Sequence, residues 1–133
     1  MIVENDGTIR YVNPHQDAER ARQASVLLGA DENNHRSRPA WAEVIGAAKL
    51  MGLPGSEYWR NVNPPCIFRQ LPINDQITLF EGIAAMPYES LGSYRQARNP
   101  SLGDRAEKGQ EISDMSFQIA ELLRQKRETI RKQ

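Results

Sequence analysis

Residues 104–133 carry the longest regular apolar pattern in the chain. Its apolar positions recur at helical intervals and are Ile112, Met115, Ile119, Leu122 and Ile130. This spacing follows one face of an α-helix and is close to a coiled-coil seam. Such a helix would be on the order of 40 Å long, which is longer than a domain of this size covers on one side. The pattern therefore predicts that other polypeptides cover part of this helix.

The flanking residues of this helix support the assignment. Asp104 is suited to cap its first turn, and Glu107 follows at the capping-box spacing. Acidic residues near the start and basic residues near the end match the helix dipole without any ligand. Phe117 lies about 140° around the helix from Ile112, so it is either a lone exposed aromatic or the contact of a second partner. Lys126 interrupts the apolar stripe.

The N-terminal residues have the pattern of a β-hairpin. Residues 2–12 place Asn5-Asp6-Gly7 between short runs of β-forming side chains. Asp-Gly between such runs is a strong signal for a two-residue turn. Two strands alone are marginally stable, so we expect this hairpin to pack on the helices or to join a partner's sheet.

Three further helices are predicted over residues 13–29, 39–52 and 74–86. The first would begin with Asn13 as its cap and Pro14 at its first position. The second is the best candidate for the core helix and would end at Gly52, with Pro54 beyond it. The predicted inward positions of the three helices are Ala18, Ala21, Ser25 and Leu28; Trp41, Val44, Ile45, Ala48 and Met51; and Ile77, Phe80 and Ala84. Gly46 and Gly82 would allow the second and third helices to cross closely.

Together these elements predict a mainly α fold with a short N-terminal β-hairpin, four or five helices and a long C-terminal helix. Residues 53–73 and 87–103 are interrupted by prolines and glycines and should be irregular. The whole forms one domain, in which residues 1–103 are a helical body and residues 104–133 an interaction helix. A length of 133 residues is sufficient for one hydrophobic core.

Charge and composition narrow the class of protein. The 17 basic residues balance the 17 acidic ones, so no basic field favours generic binding to nucleic acid or membranes. A single cysteine excludes an internal disulfide framework. The sequence has no long apolar run and no signal-like start. It is therefore expected to be cytoplasmic, or to lie within a macromolecular assembly such as a virion.

No motif for catalysis or cofactor binding is present, and neither a cofactor nor a metal is predicted. The chain lacks a nucleophile elbow, a P-loop, a dinucleotide fingerprint and the zincin motif. Two histidines and one cysteine do not supply the common structural zinc sites. His15 and His35 could each act as a ligand or a base, but surface histidines are the commoner outcome. Cys66 is expected to be a small buried apolar residue.

A basic and aromatic surface for nucleic acid is the alternative interpretation of the second half of the chain. Its residues would be Tyr94, Arg95, Arg98, Arg124, Arg127 and Arg131. A solvated, dipole-matched helix end explains the tail equally simply, and we favour it.

The leading prediction is a non-enzymatic assembly or adaptor subunit that packs into a larger complex through its C-terminal helix. The predicted partner-binding residues are Ile112, Met115, Phe117, Ile119, Leu122 and Ile130. Subunits of this kind occur in viral particles and secretion machines, which is an analogy of architecture alone. A nucleic-acid-binding accessory protein is the alternative, and a small enzyme is less favoured.

Overall fold

Helices dominate the architecture. The computed structural model describes residues 2–3, 9–10, 12–29, 39–56, 66–92 and 102–132, with side chains described from residue 12 and, in the last helix, from residue 107. The elements are β1 (Ile2–Val3), β2 (Ile9–Arg10), α1 (Ala18–Leu27), α2 (Ala40–Met51), a 3₁₀ helix (Phe68–Gln70), α3 (Ile73–Ala84), α4 (Tyr88–Leu91) and α5 (Leu102–Arg131). The predicted mainly helical fold with a long C-terminal helix is confirmed.

The N-terminal strands are much shorter than the predicted 2–12 hairpin. β1 and β2 pair antiparallel over two residues each, with Val3 opposite Ile9. The predicted Asn5-Asp6-Gly7 turn lies outside the described residues. Among the helices of the described ranges, none is both long and apolar enough to cross a membrane.

α3 lies in the core in contact with α1 and α5. It packs against α1 on one side and α5 on another, while α2 and α4 also pack on α5. Its side chains Ile77, Phe80 and Ala84 are buried, as predicted for the inward face of this segment. The predicted core face of α2 is also buried at Val44, Ile45 and Ala48. α2 ends where predicted, because Gly52 adopts the left-handed conformation at φ 67° that its C-cap requires.

The start of α1 differs from the prediction. Asp17, not Asn13, caps the helix, and its side chain accepts hydrogen bonds from the backbone N–H groups of Glu19 and Arg20. Asn13 is buried, and its Nδ2 donates to the carbonyl oxygens of Ala84 at 2.7 Å and Met86 at 2.9 Å. A residue type typical of caps therefore serves here to satisfy one carbonyl at the end of α3 and one just beyond it. Ala18, predicted to face inward, is exposed.

Two glycines mark close helix crossings. A Cβ at Gly82 would lie 2.6 Å from the Cβ of Ala24, so Gly82 lets α3 approach α1. The prediction that Gly82 serves a crossing with the helix of Gly46 is therefore wrong in its partner. A Cβ at Gly109 would collide with the carbonyl group of Tyr88, so Gly109 brings α5 against α4. Asp104, predicted as the cap of α5, lies inside that helix because α5 begins at Leu102.

Candidate protein-docking groove

The first half of the predicted seam is covered by the chain itself. Ile112 and Ile119 have no exposed surface, and Met115 is only 6% exposed. α3 and α4 pack across this part of α5 and supply the cover. The expectation that these three side chains need another polypeptide is thus corrected, because the helical body folds over them.

Phe117 also has a contact within the chain. Its ring is half-buried and meets the ring of His15 edge-on, with 5.0 Å between the centroids. The segment that leads into α1 therefore contacts Phe117, for which the sequence pattern allowed either solvent exposure or a second partner. His15 is exposed and belongs to this aromatic contact.

The second half of the seam remains open. Leu122 is 39% exposed and Ile130 is 51% exposed. Lys126 lies between them at intervals of four residues, so the three side chains share one face of α5. These two apolar residues are the members of the predicted partner-binding set that are exposed, whereas Phe117 is half-buried.

Leu122 lines an open groove of about 570 Å³ between α2, the 3₁₀ helix, α3 and α5. We call it the α2–α5 groove. Its apolar lining residues are Leu50, Met51, Phe68, Leu122 and Leu123, and its polar ones are Arg69, Gln76 and Lys126. Of this set, the apolar pattern of the sequence predicted only Leu122 as a partner contact. The available signal was Leu50, an apolar residue outside the apolar face of α2, which is 53% exposed.

The floor of the groove is held by buried polar and aromatic contacts. Oε1 of Glu43, on α2, accepts hydrogen bonds of 2.7 Å from the backbone N–H groups of Ile67 and Phe68. Two donors at the start of the 3₁₀ helix are thereby satisfied. The ring of Phe68 then packs edge-on against Phe80, with 5.5 Å between centroids. These contacts fix the position of Phe68 between α2 and α3.

Polar contacts fasten the α5 wall of the groove to α3. Arg124 forms an ion pair of 3.2 Å with Glu81, and Nη1 of Arg127 donates to Oδ1 of Asn74 at 3.0 Å. Because both contacts join α5 to α3, the wall that carries Leu122 is positioned before any partner arrives.

The rim of the groove is basic. Arg69 and Lys126 are exposed, and neither forms an ion pair with any residue that the structure describes. None of the eight lining residues is acidic. An apolar floor with two cations on its rim is suited to binding a surface that combines apolar and acidic groups.

The predicted nucleic-acid residues do not come together as a free basic surface in the described part of the chain. Arg124 and Arg131 pair with Glu121 and Glu128 on α5, and Arg124 also pairs with Glu81. Arg127 is bonded to Asn74, as described above. The other three residues of that set, Tyr94, Arg95 and Arg98, lie outside the described residues.

The other candidates from the sequence give no second site. His35 lies outside the described residues, and Cys66 is half-buried and is not part of a disulfide. Within the ranges described, no three His, Cys, Asp or Glu side chains are arranged to hold a metal ion. Comparisons with protein-family models, with curated proteins and with solved structures find no match to this chain.

Proposed function

We propose that this protein is a non-enzymatic assembly or adaptor subunit that binds another protein through the second half of α5 and the α2–α5 groove. The observation that carries the proposal is the exposure of Leu122 and Ile130 on one face of α5, beside a preformed groove. Burial of each side chain against a partner would contribute up to roughly 1.5–3 kcal/mol.

A protein partner fits this surface better than a nucleic acid does. The arginines of α5 whose side chains are described have partners in the chain. The exposed residues that line the groove are two leucines, Leu50 and Leu122, and only two cations, Arg69 and Lys126. A nucleic-acid surface needs several free cations to neutralise phosphates. Membership of a viral particle or secretion machine is a finer form of the same proposal and rests on architecture alone.

The test is a double substitution, Leu122→Asp with Ile130→Asp, in the protein purified with its native assembly. Both side chains are exposed, so the subunit should keep its fold, as checked by circular dichroism. Light scattering should show that the particle mass falls to that of the folded subunit. Ile119 is left unchanged because its buried side chain belongs to the subunit's own core.

The matched control is Val12→Asp with Val26→Asp. These side chains are 40% and 53% exposed, close to the values for Leu122 and Ile130, but neither lines the groove. The control should leave the particle mass unchanged. A particle mass that withstands the Leu122 and Ile130 substitutions would overturn the proposed function.

A further inference from the structure

We propose that the α2–α5 groove binds an acidic amphipathic helix from a different protein. This inference names the class of partner for the proposed docking groove and therefore rests on the proposed function. Three features of the groove support it: its apolar floor, its two rim cations, which have no carboxylate partner among the described residues, and the charge of α5 itself.

The apolar floor is built to take side chains from a helix. Leu50 on α2 and Leu122 on α5 belong to different walls of the groove, and Phe68 of the 3₁₀ helix also lines it. Leu50 is 53% exposed and Leu122 is 39% exposed, while Phe68 is buried and held by Glu43. Helices that enter such grooves insert apolar anchors spaced three and four residues apart. The groove is open rather than enclosed, so it can admit a row of such anchors.

The cations on the rim determine the charge of the partner. Arg69 projects from the 3₁₀ helix and Lys126 from α5, so the two come from different elements that line the same groove. Neither is neutralised by a carboxylate of the described residues, and none of the eight described lining residues is acidic. Carboxylates on the polar face of an incoming helix would pair with them, and pairing at the edge of an apolar contact selects partners by charge.

A second copy of this chain is a poor occupant. Residues 121–132 hold five basic and two acidic residues, so pairing this segment with its copy would bring together two surfaces of net positive charge, which is unfavourable. The acidic turns of α5 lie near Glu107 and Glu111, where the adjacent apolar stripe is already buried under α3 and α4. The acidic helix must therefore come from another protein.

The experiment uses two synthetic peptides of about 18 residues, long enough to form helix in water. Both carry leucines at helical spacing on one face; one has glutamates on the other face, and the second has lysines there. Fluorescence anisotropy at low salt should show the glutamate peptide binding at least about tenfold more tightly than the lysine peptide. Arg69→Glu with Lys126→Glu should invert that preference.

The location of the site is tested with a pair of matched substitutions. Leu50→Asp should abolish binding of the glutamate peptide, whereas Val26→Asp, at a side chain of equal 53% exposure on α1, should leave it intact. Circular dichroism verifies that each variant is folded. Loss of binding in Val26→Asp, or retained binding in Leu50→Asp, would place the peptide elsewhere and overturn the proposal.

The two proposals fail in different ways. Equal binding of both peptides overturns the acidic-helix inference, and so does an unchanged preference after the charge reversal. This holds even if Leu122→Asp with Ile130→Asp still causes the assembly to dissociate. A clear preference for the glutamate peptide together with an unchanged particle mass supports the groove's selectivity and overturns the assembly function.

Discussion

The two halves of α5 share one helix and one apolar period but differ in what covers them. In the first half, Ile112, Met115 and Ile119 are buried under α3 and α4. In the second half, Leu122 is partly exposed, and every described residue after Arg127 is exposed. The apolar period alone therefore does not determine which part of a helix its own domain covers.

A second stripe, made of small residues, distinguishes the halves. Its members are Gly109, Ser113, Ser116 and Ala120, all of them buried. Ser113 and Ser116 donate hydrogen bonds to the carbonyl oxygens of Ala84 and Phe80 on α3. Small side chains allow the helices to approach until such contacts form. Beyond Ala120, Leu123 is the one buried residue in the described part of α5, and this part of the helix lines the groove.

The largest predicted difference in stability is between substitutions at Ile119 and at Leu122, three residues apart on α5. Ile119→Asp places a carboxylate where no solvent reaches, and we expect it to cost about 4 kcal/mol or more, enough to unfold a marginally stable domain. Leu122→Asp, at a side chain 39% exposed, should change the free energy of unfolding by less than about 1 kcal/mol. Urea denaturation measures both. Similar decreases in the free energy of unfolding at the two positions would mean that the two halves of α5 do not differ in burial as described.

Gly109→Ala tests the close crossing of α4 and α5. Alanine normally stabilises a helix by up to about 1 kcal/mol relative to glycine. Here the new Cβ would collide with the Tyr88 carbonyl, so the helices must separate and we expect a loss of about 1–3 kcal/mol.

Gln110→Ala is the control for Gly109→Ala, because Gln110 is the exposed neighbour on the same turn. It should be neutral or slightly stabilising, since alanine has the higher helix propensity. The decisive measurement is the sign of the Gly109→Ala effect in urea denaturation. A stabilising result would show that α4 and α5 are not in close contact there.

Two hydroxyl groups provide a smaller test of the same contrast. Ser116 donates to the carbonyl oxygen of Phe80 at 2.6 Å, across the buried interface with α3. Thr129 donates to the carbonyl of Gln125 at 3.1 Å, within the exposed end of α5. We expect Ser116→Ala to cost about 1 kcal/mol, and Thr129→Ala to be neutral or slightly stabilising because alanine is the better helix former. Thermal unfolding of the two variants compares these changes in stability. Equal losses of stability would contradict the expected difference between the two halves of α5.

The sequence pattern correctly predicted features that depend on residues close together in the chain, such as helix ends and buried helix faces. Gly52 and Pro54 marked the end of α2, and the spacing of Ile77 and Phe80 marked the buried face of α3. The long helix followed from its own period. Each of these predictions depends on residues that are near one another in the chain.

Contacts between segments that are far apart in the chain could not be predicted from these local patterns. Asn13 resembles a helix cap by type, yet it bonds to carbonyls 71 and 73 residues away. The groove needs Leu50, Phe68 and Leu122 from three separate elements, and no spacing in the sequence relates them. The burial of Ile112 likewise depends on where α3 and α4 lie, which the pattern of α5 does not contain.

The smallest expected effect concerns a carboxyl group in the covered half of α5. Burial raises the pKa of Asp114 above its ordinary value of 3.8, and repulsion by Glu111 adds to the rise, whereas His15 opposes it. A raised pKa means that the folded protein holds the proton more tightly than the unfolded chain does. The folded state is therefore destabilised as the pH rises from below 3.8 through the raised value.

Asp114→Asn removes this titration, so the variant should gain stability relative to the wild type at pH 7, and the gain should vanish on acidification below 3.8. Urea denaturation across this range measures the difference, and Glu111→Gln should reproduce part of the gain by removing the repulsion. An Asn variant that loses stability at pH 7 would show that the ionised carboxylate is instead favoured by its surroundings in the covered half.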